Sequence, residues 1–342
     1  MVSGLITYTL RKLPCARLGI IVTVLLSLEA CKTEEETKPW SPPGHFPTMV
    51  YQNANNEPNA ERIALGKALF YDPLLSSSGT ISCGSCHAQV HGFSDHNTPL
   101  SFGVHNRLGS RNTPPLVNLA WSPNFMWDGG INHLDVMPIA PITNPVEMDI
   151  SLAEALEKIR SQSRYKNMVS LAFGDTAWSE KRLLYALSQF MLTLQSSNSR
   201  YDQFYKGQTS ALNEIEKTGY RLFQKHCSSC HVEPLTTGYT YERNGMVCTD
   251  DMGRMKITNS LQDQYKFKVP TLRNIAVTYP YMHDGSIKSL FEVVAFYAEG
   301  GNSNSDPRIQ NISMSQTEQD QILAFLQSLT DYSFLSNPAL SE

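Results

Sequence analysis

The chain has 342 residues, of which 41% are hydrophobic and 10% aromatic, and its formal net charge is −4. This composition is typical of a globular protein, and the length is sufficient for two domains. A chain without a basic excess does not bind phosphate backbones well, so the charge argues against a nucleic-acid partner.

The amino-terminal segment has the pattern of an export signal. Basic residues precede an apolar run over residues 18–28, which is too short to span a bilayer. The run ends in Leu-Glu-Ala-Cys, whose cysteine is Cys31, and this ending resembles the lipobox of bacterial lipoproteins. We therefore predict a signal peptide over residues 1–30 and a lipid anchor on Cys31 in the periplasm or cell envelope. A plain cleaved signal and a retained anchor are the alternatives.

The next segment, residues 31–56, is rich in Glu, Thr, Pro and Asn. Such a composition buries too little apolar surface to fold alone, so it predicts a tether between the membrane and a folded body. We expect the folded body to begin near Glu57.

The remaining chain carries helix signals separated by long irregular stretches. The signals are the apolar spacing over residues 63–70, the capping boxes of Ser151 with Glu154 and of Ser289 with Glu292, Ser179 before an apolar stripe, and the apolar spacing over residues 317–329. Period-2 alternation is rare, so the predicted fold class is mainly α with long loops between the helices.

Two pentapeptides share one pattern. They are Cys83-Gly84-Ser85-Cys86-His87 and Cys227-Ser228-Ser229-Cys230-His231. Cys-x-x-Cys-His is the attachment signal of c-type haem, in which both thiols bond to the haem vinyl groups and the histidine ligates the iron. A zinc site or a redox dithiol would need partner cysteines at metal spacing or a single pair in a βαβ setting. The sequence therefore predicts two covalently bound c-type haems.

The surroundings of the two motifs are also similar, which suggests an internal duplication. The matched pairs are Gly66-Lys67-Ala68-Leu69-Phe70 with Gly219-Tyr220-Arg221-Leu222-Phe223, Arg111-Asn112 with Arg273-Asn274, and Trp127-Asp128-Gly129 with His283-Asp284-Gly285. We predict two cytochrome-c-like haem domains of similar plan, over residues 57–198 and 199–342.

A family resemblance rests on many ordered blocks of the chain. These blocks are LGKALFYDPLLSSSGTISCGSCH, GFSD, GSRNTPPLVNLAW, FMWDGG, PITNPVEM, CSSCH, FKVPTLRN, YPYMHDGS and SLFEVVAFY. Their order is similar to that of the bacterial dihaem cytochrome c peroxidases and their MauG-type relatives. The resemblance implies a peroxidatic first haem, an electron-transfer second haem and reduction of hydrogen peroxide to water. It also implies a small cytochrome c or cupredoxin as electron donor, and a homodimer.

The resemblance assigns roles to three further residues. Glu147 matches the family's catalytic acid/base, which moves a proton between the two peroxide oxygens. Trp127 matches the tryptophan between the haems, where an indole can relay an electron. Asn112 matches a side-chain ligand of a calcium ion.

The first-haem loop departs from the family pattern. Many members carry a distal histidine where Val104 stands here, with His105 next to it and His91 and His96 earlier in the loop. If none of these histidines ligates, the first haem needs no reductive activation. Met137 stands where the family often has glutamine, which makes that wall more apolar.

The second haem departs in its distal ligand. Tyr297 stands where the peroxidases have a methionine, as in the MauG-type enzymes, and a phenolate would stabilise higher iron states. The helical spacing of Tyr297 after Val293 and Val294 also suits a core residue. Met246, Met252, Met255 and Met282 remain alternative ligands.

The leading interpretation is an exported dihaem peroxidase. The first alternative is a MauG-type oxidase that modifies a partner protein, which Tyr297 favours. The second is a non-enzymatic dihaem electron carrier, which Glu147 disfavours.

Overall fold

A computed structural model describes residues 39–96, 98–246 and 250–342. The predicted signal peptide, Cys31 and the first part of the predicted tether lie outside these residues. Within the described ranges, no helix is both long enough and apolar enough to cross a membrane.

The fold is mainly helical with long connecting loops, as predicted. In the described part of the chain the helices are α1 (Ala60–Phe70), α2 (Cys83–Cys86), α3 (Ile139–Thr143), α4 (Leu152–Arg160), α5 (Ser163–Phe173), α6 (Glu180–Leu192), α7 (Arg200–Tyr205), α8 (Glu214–His226), α9 (Met255–Thr258), α10 (Leu290–Ala298), α11 (Pro307–Gln310), α12 (Gln316–Gln327) and α13 (Tyr332–Leu335). Strands β1 (Tyr241–Glu242) and β2 (Phe267–Lys268) pair antiparallel, with Tyr241 opposite Lys268.

Side-chain caps explain where several helices begin. The Ser151 hydroxyl accepts the Glu154 amide N–H, the Glu154 carboxylate accepts the Ser151 amide, and Ser289 with Glu292 repeats this arrangement at α10. Ser179 caps α6 as predicted. The last predicted helix is α12, which begins and ends slightly before the predicted bounds of 317–329.

Two buried clusters form the core, and each is built on one close helix crossing. In the first cluster α1 packs against α5 and α6, and in the second α8 and α10 pack against α12. A Cβ atom at Gly66 of α1 would overlap the Ala186 carbonyl of α6, and one at Gly219 of α8 would overlap the Gln321 carbonyl of α12. The two glycines stand at matching positions of the duplicated segment, so the predicted duplication extends to the helix crossings.

The loops after these crossings also correspond, and they correct one predicted match. Asn118 and Asn274 both adopt left-handed backbone, with φ of 54° and 60°, and both precede a 3₁₀ turn. Each lies nine residues before Trp127 or His283. The structural counterpart of Asn274 is therefore Asn118, and the predicted match with Asn112 is wrong.

Residues 39–56 contact the folded body, so the predicted tether over 31–56 is wrong for this part. Phe46 is buried in the first cluster, and the Tyr51 amide donates to the Ala120 carbonyl at 2.9 Å. The Trp121 indole donates to the Pro47 carbonyl at 2.7 Å. Composition predicts a tether here because single apolar residues in a polar segment give no sign of the pocket that binds them.

The carboxyl-terminal residues return to the first cluster. Phe334 and Leu340 are buried in it, and the Tyr71 hydroxyl donates to the Leu340 carbonyl at 2.7 Å. Residues after α12 therefore pack on the first half of the chain, although they follow the second haem motif.

A buried ion pair links α7 to the loop that contains Arg273 and Asn274. Arg273 is fully buried and donates two hydrogen bonds to the Asp202 carboxylate, at 2.8 and 2.7 Å. Burial would raise the pKa of Asp202, but the Arg273 guanidinium holds it below its ordinary value. Asp202 also contacts His45 Nε2 at 2.9 Å. The pair therefore anchors the amino-terminal segment as well as the second half.

Replacing Arg273 by Met should leave the Asp202 carboxylate buried without its cationic partner. We expect Arg273→Met to lower the free energy of unfolding by about 3–5 kcal/mol, measured by guanidinium denaturation followed by far-UV circular dichroism. The control is Arg160→Met, which removes an exposed partner of Glu157 and should change stability by about 0–1 kcal/mol. Equal effects of the two substitutions would contradict this account.

Candidate haem-binding and catalytic site

The first motif lies on α2, and its histidine is held by a backbone carbonyl. His87 Nδ1 lies 2.7 Å from the Phe93 carbonyl oxygen, so Nδ1 carries the proton and Nε2 keeps its lone pair. Burial lowers the pKa of His87 to about 4. The imidazole is therefore neutral near pH 7, which is the form that ligates a metal.

The second motif begins at Cys227, directly after α8, and its histidine is also held by backbone carbonyls. His231 Nδ1 lies 3.1 Å from both the Thr236 and the Pro270 carbonyl oxygens. Burial lowers the pKa of His231 to about 4 as well. Both histidines thus present Nε2 as the ligating atom, which fits the axial role that the sequence predicts.

One cavity surrounds the second motif. Cys227, Cys230 and His231 line it together with Tyr297 of α10 and mostly apolar side chains. A haem needs two thiols, an imidazole and an apolar enclosure, and the lining residues supply all of these. The residues present therefore fit a c-type haem.

Tyr297 and Met282 both line this cavity, so the structure brings both candidate distal ligands to it. Burial raises the pKa of the Tyr297 hydroxyl to about 12, and a hydrogen bond with Asn244 opposes the shift. Asn244 Nδ2 also lies 3.3 Å from Met282 Sδ. Met246, Met252 and Met255 are not among the cavity's lining residues.

Glu147 lies near the first motif. Burial is the main cause of the raised pKa of Cys83, about 12, and of Cys86, about 11, and the negative charge of Glu147 contributes to both. The Glu147 residue as a whole is solvent-exposed. Neighbouring protein atoms nevertheless desolvate its carboxylate, and this desolvation raises the pKa of Glu147. Asn144 Nδ2 donates to Glu147 Oε1 at 2.6 Å and opposes that shift. The Glu147 carbonyl accepts the Val104 amide at 2.8 Å.

The three candidate distal histidines occupy different places. Val104 is buried beside Glu147, whereas the next residue, His105, is exposed and has left-handed backbone with φ of 57°. His91 and His96 stack on each other with ring centroids 3.4 Å apart. The His96 ring also lies 6.3 Å from that of Tyr279, in the second half. Met137 is buried in the first cluster.

Trp127 lies at the junction of the two halves. Its indole N–H donates to the Asn112 carbonyl at 2.8 Å, and the Asn112 amide donates to the His283 carbonyl at 2.8 Å. Trp127 and Asn112 both line the second cavity. The Lys268 amide donates to the Trp127 carbonyl at 2.7 Å, and burial lowers the pKa of Lys268 to about 8.

The Asn112 side chain, the predicted calcium ligand, is buried at this junction. Its Nδ2 donates to the Pro99 carbonyl at 3.1 Å. The amide oxygen is the atom that a calcium ion would use.

Arg111 joins the two halves next to these residues. Its guanidinium binds the Asp251 carboxylate with two hydrogen bonds, of 2.6 and 2.9 Å, and the Asp128 carboxylate with one of 2.5 Å. Burial would raise the pKa of Asp251, but Arg111 lowers it. Sequence reasoning missed Asp251 and Lys268. Lys268 belongs to the block FKVPTLRN, so the family resemblance could have pointed to it. Asp251 belongs to none of the blocks.

Comparison with known proteins identifies the family. The family model "Di-haem cytochrome c peroxidase" matches residues 60–210, and the model "Cytochrome c" matches residues 216–330. The cytochrome c551 peroxidase of Nitrosomonas europaea is 36% identical over 279 residues, which cover 80% of each protein. The methylamine utilization protein MauG of Methylorubrum extorquens is 34% identical over 291 residues, 83% of this chain and 82% of MauG.

The chain belongs to the dihaem cytochrome c peroxidase family. A solved structure described as a MauG-like protein associated with microbial copper homeostasis has 29% identity and a TM-score of 0.81, and covers 88% of this chain and 98% of that one. The dihaem peroxidase family implies two c-type haems here, and the protein is an enzyme of the cytochrome c peroxidase type. These results confirm the predicted family and mainly α fold. The exact domain boundaries stay predictions.

Replacing Cys83 and Cys86 by Ser should remove the covalent link at the first motif alone. We expect the double variant to carry one covalent haem instead of two, because serine does not add to haem vinyl groups. Intact mass under denaturing conditions measures this count. Cys248→Ser, outside both motifs, is the control and should keep two haems. Two covalent haems on the double variant would contradict the assignment.

Proposed function

We propose that the protein is an exported dihaem peroxidase that reduces hydrogen peroxide to water with electrons from an external donor. The supporting observation is that Glu147 is near enough to the first motif for its charge to raise the pKa of Cys83 and of Cys86. Its backbone carbonyl accepts the Val104 amide. Val104 cannot ligate iron, and the adjacent His105 is exposed. His91 and His96 stack on each other, and we propose that neither ligates the iron. A haem held by the first motif would then have an open face near the Glu147 carboxylate.

Each peroxide consumes two electrons and two protons and yields two waters. Cys83, Cys86 and His87 would hold the first haem, whose iron would supply the site for cleavage of the O–O bond. Glu147 takes a proton from the near oxygen and delivers it to the far oxygen, which leaves as water. Asn144, which donates to Glu147 Oε1, keeps the carboxylate oriented for this transfer.

Cys227, Cys230 and His231 would hold the second haem, which would supply the electron-transfer centre between the donor and the first motif. Trp127 lines its cavity, and its indole is hydrogen-bonded and oriented by the Asn112 carbonyl. A large π system between the two sites is suited to relay an electron. We assign this relay to Trp127, and we assign a calcium ion to the Asn112 side chain at the same junction.

The proposed setting is the cell envelope. Cys31 carries a lipid anchor, and a small cytochrome c or cupredoxin delivers the electrons. A homodimer is the proposed assembly. The electron-carrier alternative loses its support, because the relatives that identify the family include several peroxidases.

Replacing Glu147 by Gln should remove the proton shuttle while keeping the side-chain shape. We expect kcat for peroxide reduction to fall about 10²–10⁴-fold with either donor, because proton transfer by a positioned side chain contributes on that scale. Asp149→Asn is the matched control, since this carboxylate on the same loop pairs with Arg107 at the surface. Equal rates of the Glu147→Gln and Asp149→Asn variants would contradict the assignment.

The raised pKa of Glu147 also predicts a pH dependence. The carboxylate must be deprotonated to accept the first proton, so kcat/KM should fall as the pH drops through its pKa. Because desolvation raises this pKa, the midpoint should lie above the ordinary value of 4.5. The pH profile of kcat/KM for the wild type and Glu147→Gln measures this. An acid limb that persists in the variant would assign the titration to another group.

A MauG-type oxidase acting on a partner protein is the second candidate function. The observation that favours it is Tyr297 in the cavity of the second motif. A phenolate ligand stabilises ferric and higher iron states, which suits storage of oxidising equivalents. Peroxide consumption without oxidation of a cytochrome or cupredoxin donor would favour this candidate over the peroxidase.

Tyr297→Phe and Met282→Leu should separate the two distal ligands. We propose Tyr297 as the ligand, so Tyr297→Phe should change the optical spectrum of the second haem and raise its midpoint potential, because an anionic donor is lost. Met282→Leu, in the same cavity, should leave both near the wild-type values. The opposite pattern would identify Met282 as the ligand.

A further inference from the structure

His283 is a buried side chain to which the proposed mechanism gives no role. Its exposed fraction is 2%, and both ring nitrogens lack a hydrogen-bond partner. The ring stacks on Phe267, with centroids 3.7 Å apart and planes at 18°. The Arg111 guanidinium lies 5.6 Å from the centre of the Phe267 ring. The stacking holds the imidazole in place without satisfying either nitrogen.

The position of His283 matches that of Trp127 in the other half. The two residues follow Met126 and Met282, which both have left-handed backbone with φ of 67° and 71°. The β-bridges Phe125–Ile131 and Tyr281–Ile287 enclose the two loops in the same way. The Trp127 indole N–H has a protein acceptor, the Asn112 carbonyl. The His283 ring, at the equivalent position of the second loop, has no protein acceptor for its N–H.

His283 lines the cavity of the second motif. Three other polar side chains of this lining already have partners. Asn244 Nδ2 contacts Met282 Sδ, and Lys268 Nζ donates to the Asn124 carbonyl at 2.8 Å. Arg308 pairs with Asp306 and Glu242. His226 also has an unpartnered ring nitrogen in this lining, but it is only partly buried.

A buried N–H without a partner is unfavourable, and the large majority of such groups in native proteins have an acceptor. A haem brings two carboxylates into an otherwise mostly apolar cavity, and a hydrogen bond to a carboxylate is stronger than one to a neutral group. We propose that His283 donates a hydrogen bond to a carboxylate of the second haem. This inference rests on the proposed attachment of that haem at Cys227 and Cys230.

The bond would connect the second haem to the residue proposed as relay. The His283 carbonyl accepts the Asn112 amide, and the Asn112 carbonyl accepts the Trp127 indole. Hydrogen bonds between two backbone segments, one at Asn112 and one at His283, thus connect the proposed donor to the haem carboxylate with Trp127. The donor also withdraws negative charge from the carboxylate, so it raises the midpoint potential of the second haem.

Substitutions at His283 in the full dihaem protein test the proposal. His283→Phe keeps a flat ring but has no donor, and it should shift the propionate bands in the resonance Raman spectrum and lower the midpoint potential of the second haem. The first haem should keep its potential. Asn places an amide near the Nδ1 position and Gln near the Nε2 position, so one of these variants should restore the wild-type values.

Wild-type propionate bands and midpoint potential in His283→Phe, with both haems attached, would overturn the proposal. Intact mass reports the haem count separately, so a missing haem would count against the proposed attachment rather than against this bond. If the Phe variant does not fold, a crystal structure of the wild-type holoprotein decides. A ring nitrogen within 3.2 Å of a haem carboxylate oxygen supports the proposal, and water alone at both nitrogens overturns it.

Discussion

The Arg111 guanidinium binds a carboxylate from each half of the protein, Asp128 from the first and Asp251 from the second. Asp128 directly follows Trp127, and Asn112 directly follows Arg111, so this ion pair fixes the backbone around the tryptophan. All three side chains are largely removed from water, where an unpaired charge would be strongly unfavourable. The Arg111 ion pairs therefore support the position of Trp127 between the halves, together with the hydrogen bonds of Trp127 to Asn112 and Lys268.

Two similar halves have diverged at the positions that carry chemistry. Gly66 and Gly219 allow the same close helix crossing, and His87 and His231 are oriented by the same type of backbone hydrogen bond. The loop tips differ, with Trp127 in one half and His283 in the other. A common scaffold thus supports one site with a nearby carboxylate and one enclosed in an apolar cavity.

Features set by local chemistry could be predicted from the sequence. The capping boxes at Ser151 and Ser289 need only a few neighbouring residues, and the structure contains both of them. The Cys-x-x-Cys-His motifs are equally local, and the family implies the two c-type haems that they predict. The family resemblance points to Glu147 and Tyr297, although each lies far along the chain from its motif. Their roles remain proposals.

Features set by distant contacts could not be predicted. Phe46 reads as part of a polar segment, and its pocket is formed by residues such as Trp121. Asp251 pairs with a residue 140 positions away, and no local pattern marks it. Arg111-Asn112 and Arg273-Asn274 have the same two residues but do not occupy equivalent places in the structure. In the sequence, the nine-residue spacing to Trp127 and to His283 is what identifies Asn118, and not Asn112, as the counterpart of Asn274.

In the proposed mechanism the first haem is open to peroxide while the second is enclosed. The most direct test is a pair of optical spectra of the ferric protein, before and after addition of peroxide, without prior reduction. We expect a mixture of high-spin and low-spin haem whose spectrum changes when peroxide is added. A fully low-spin spectrum that does not respond to peroxide would contradict it.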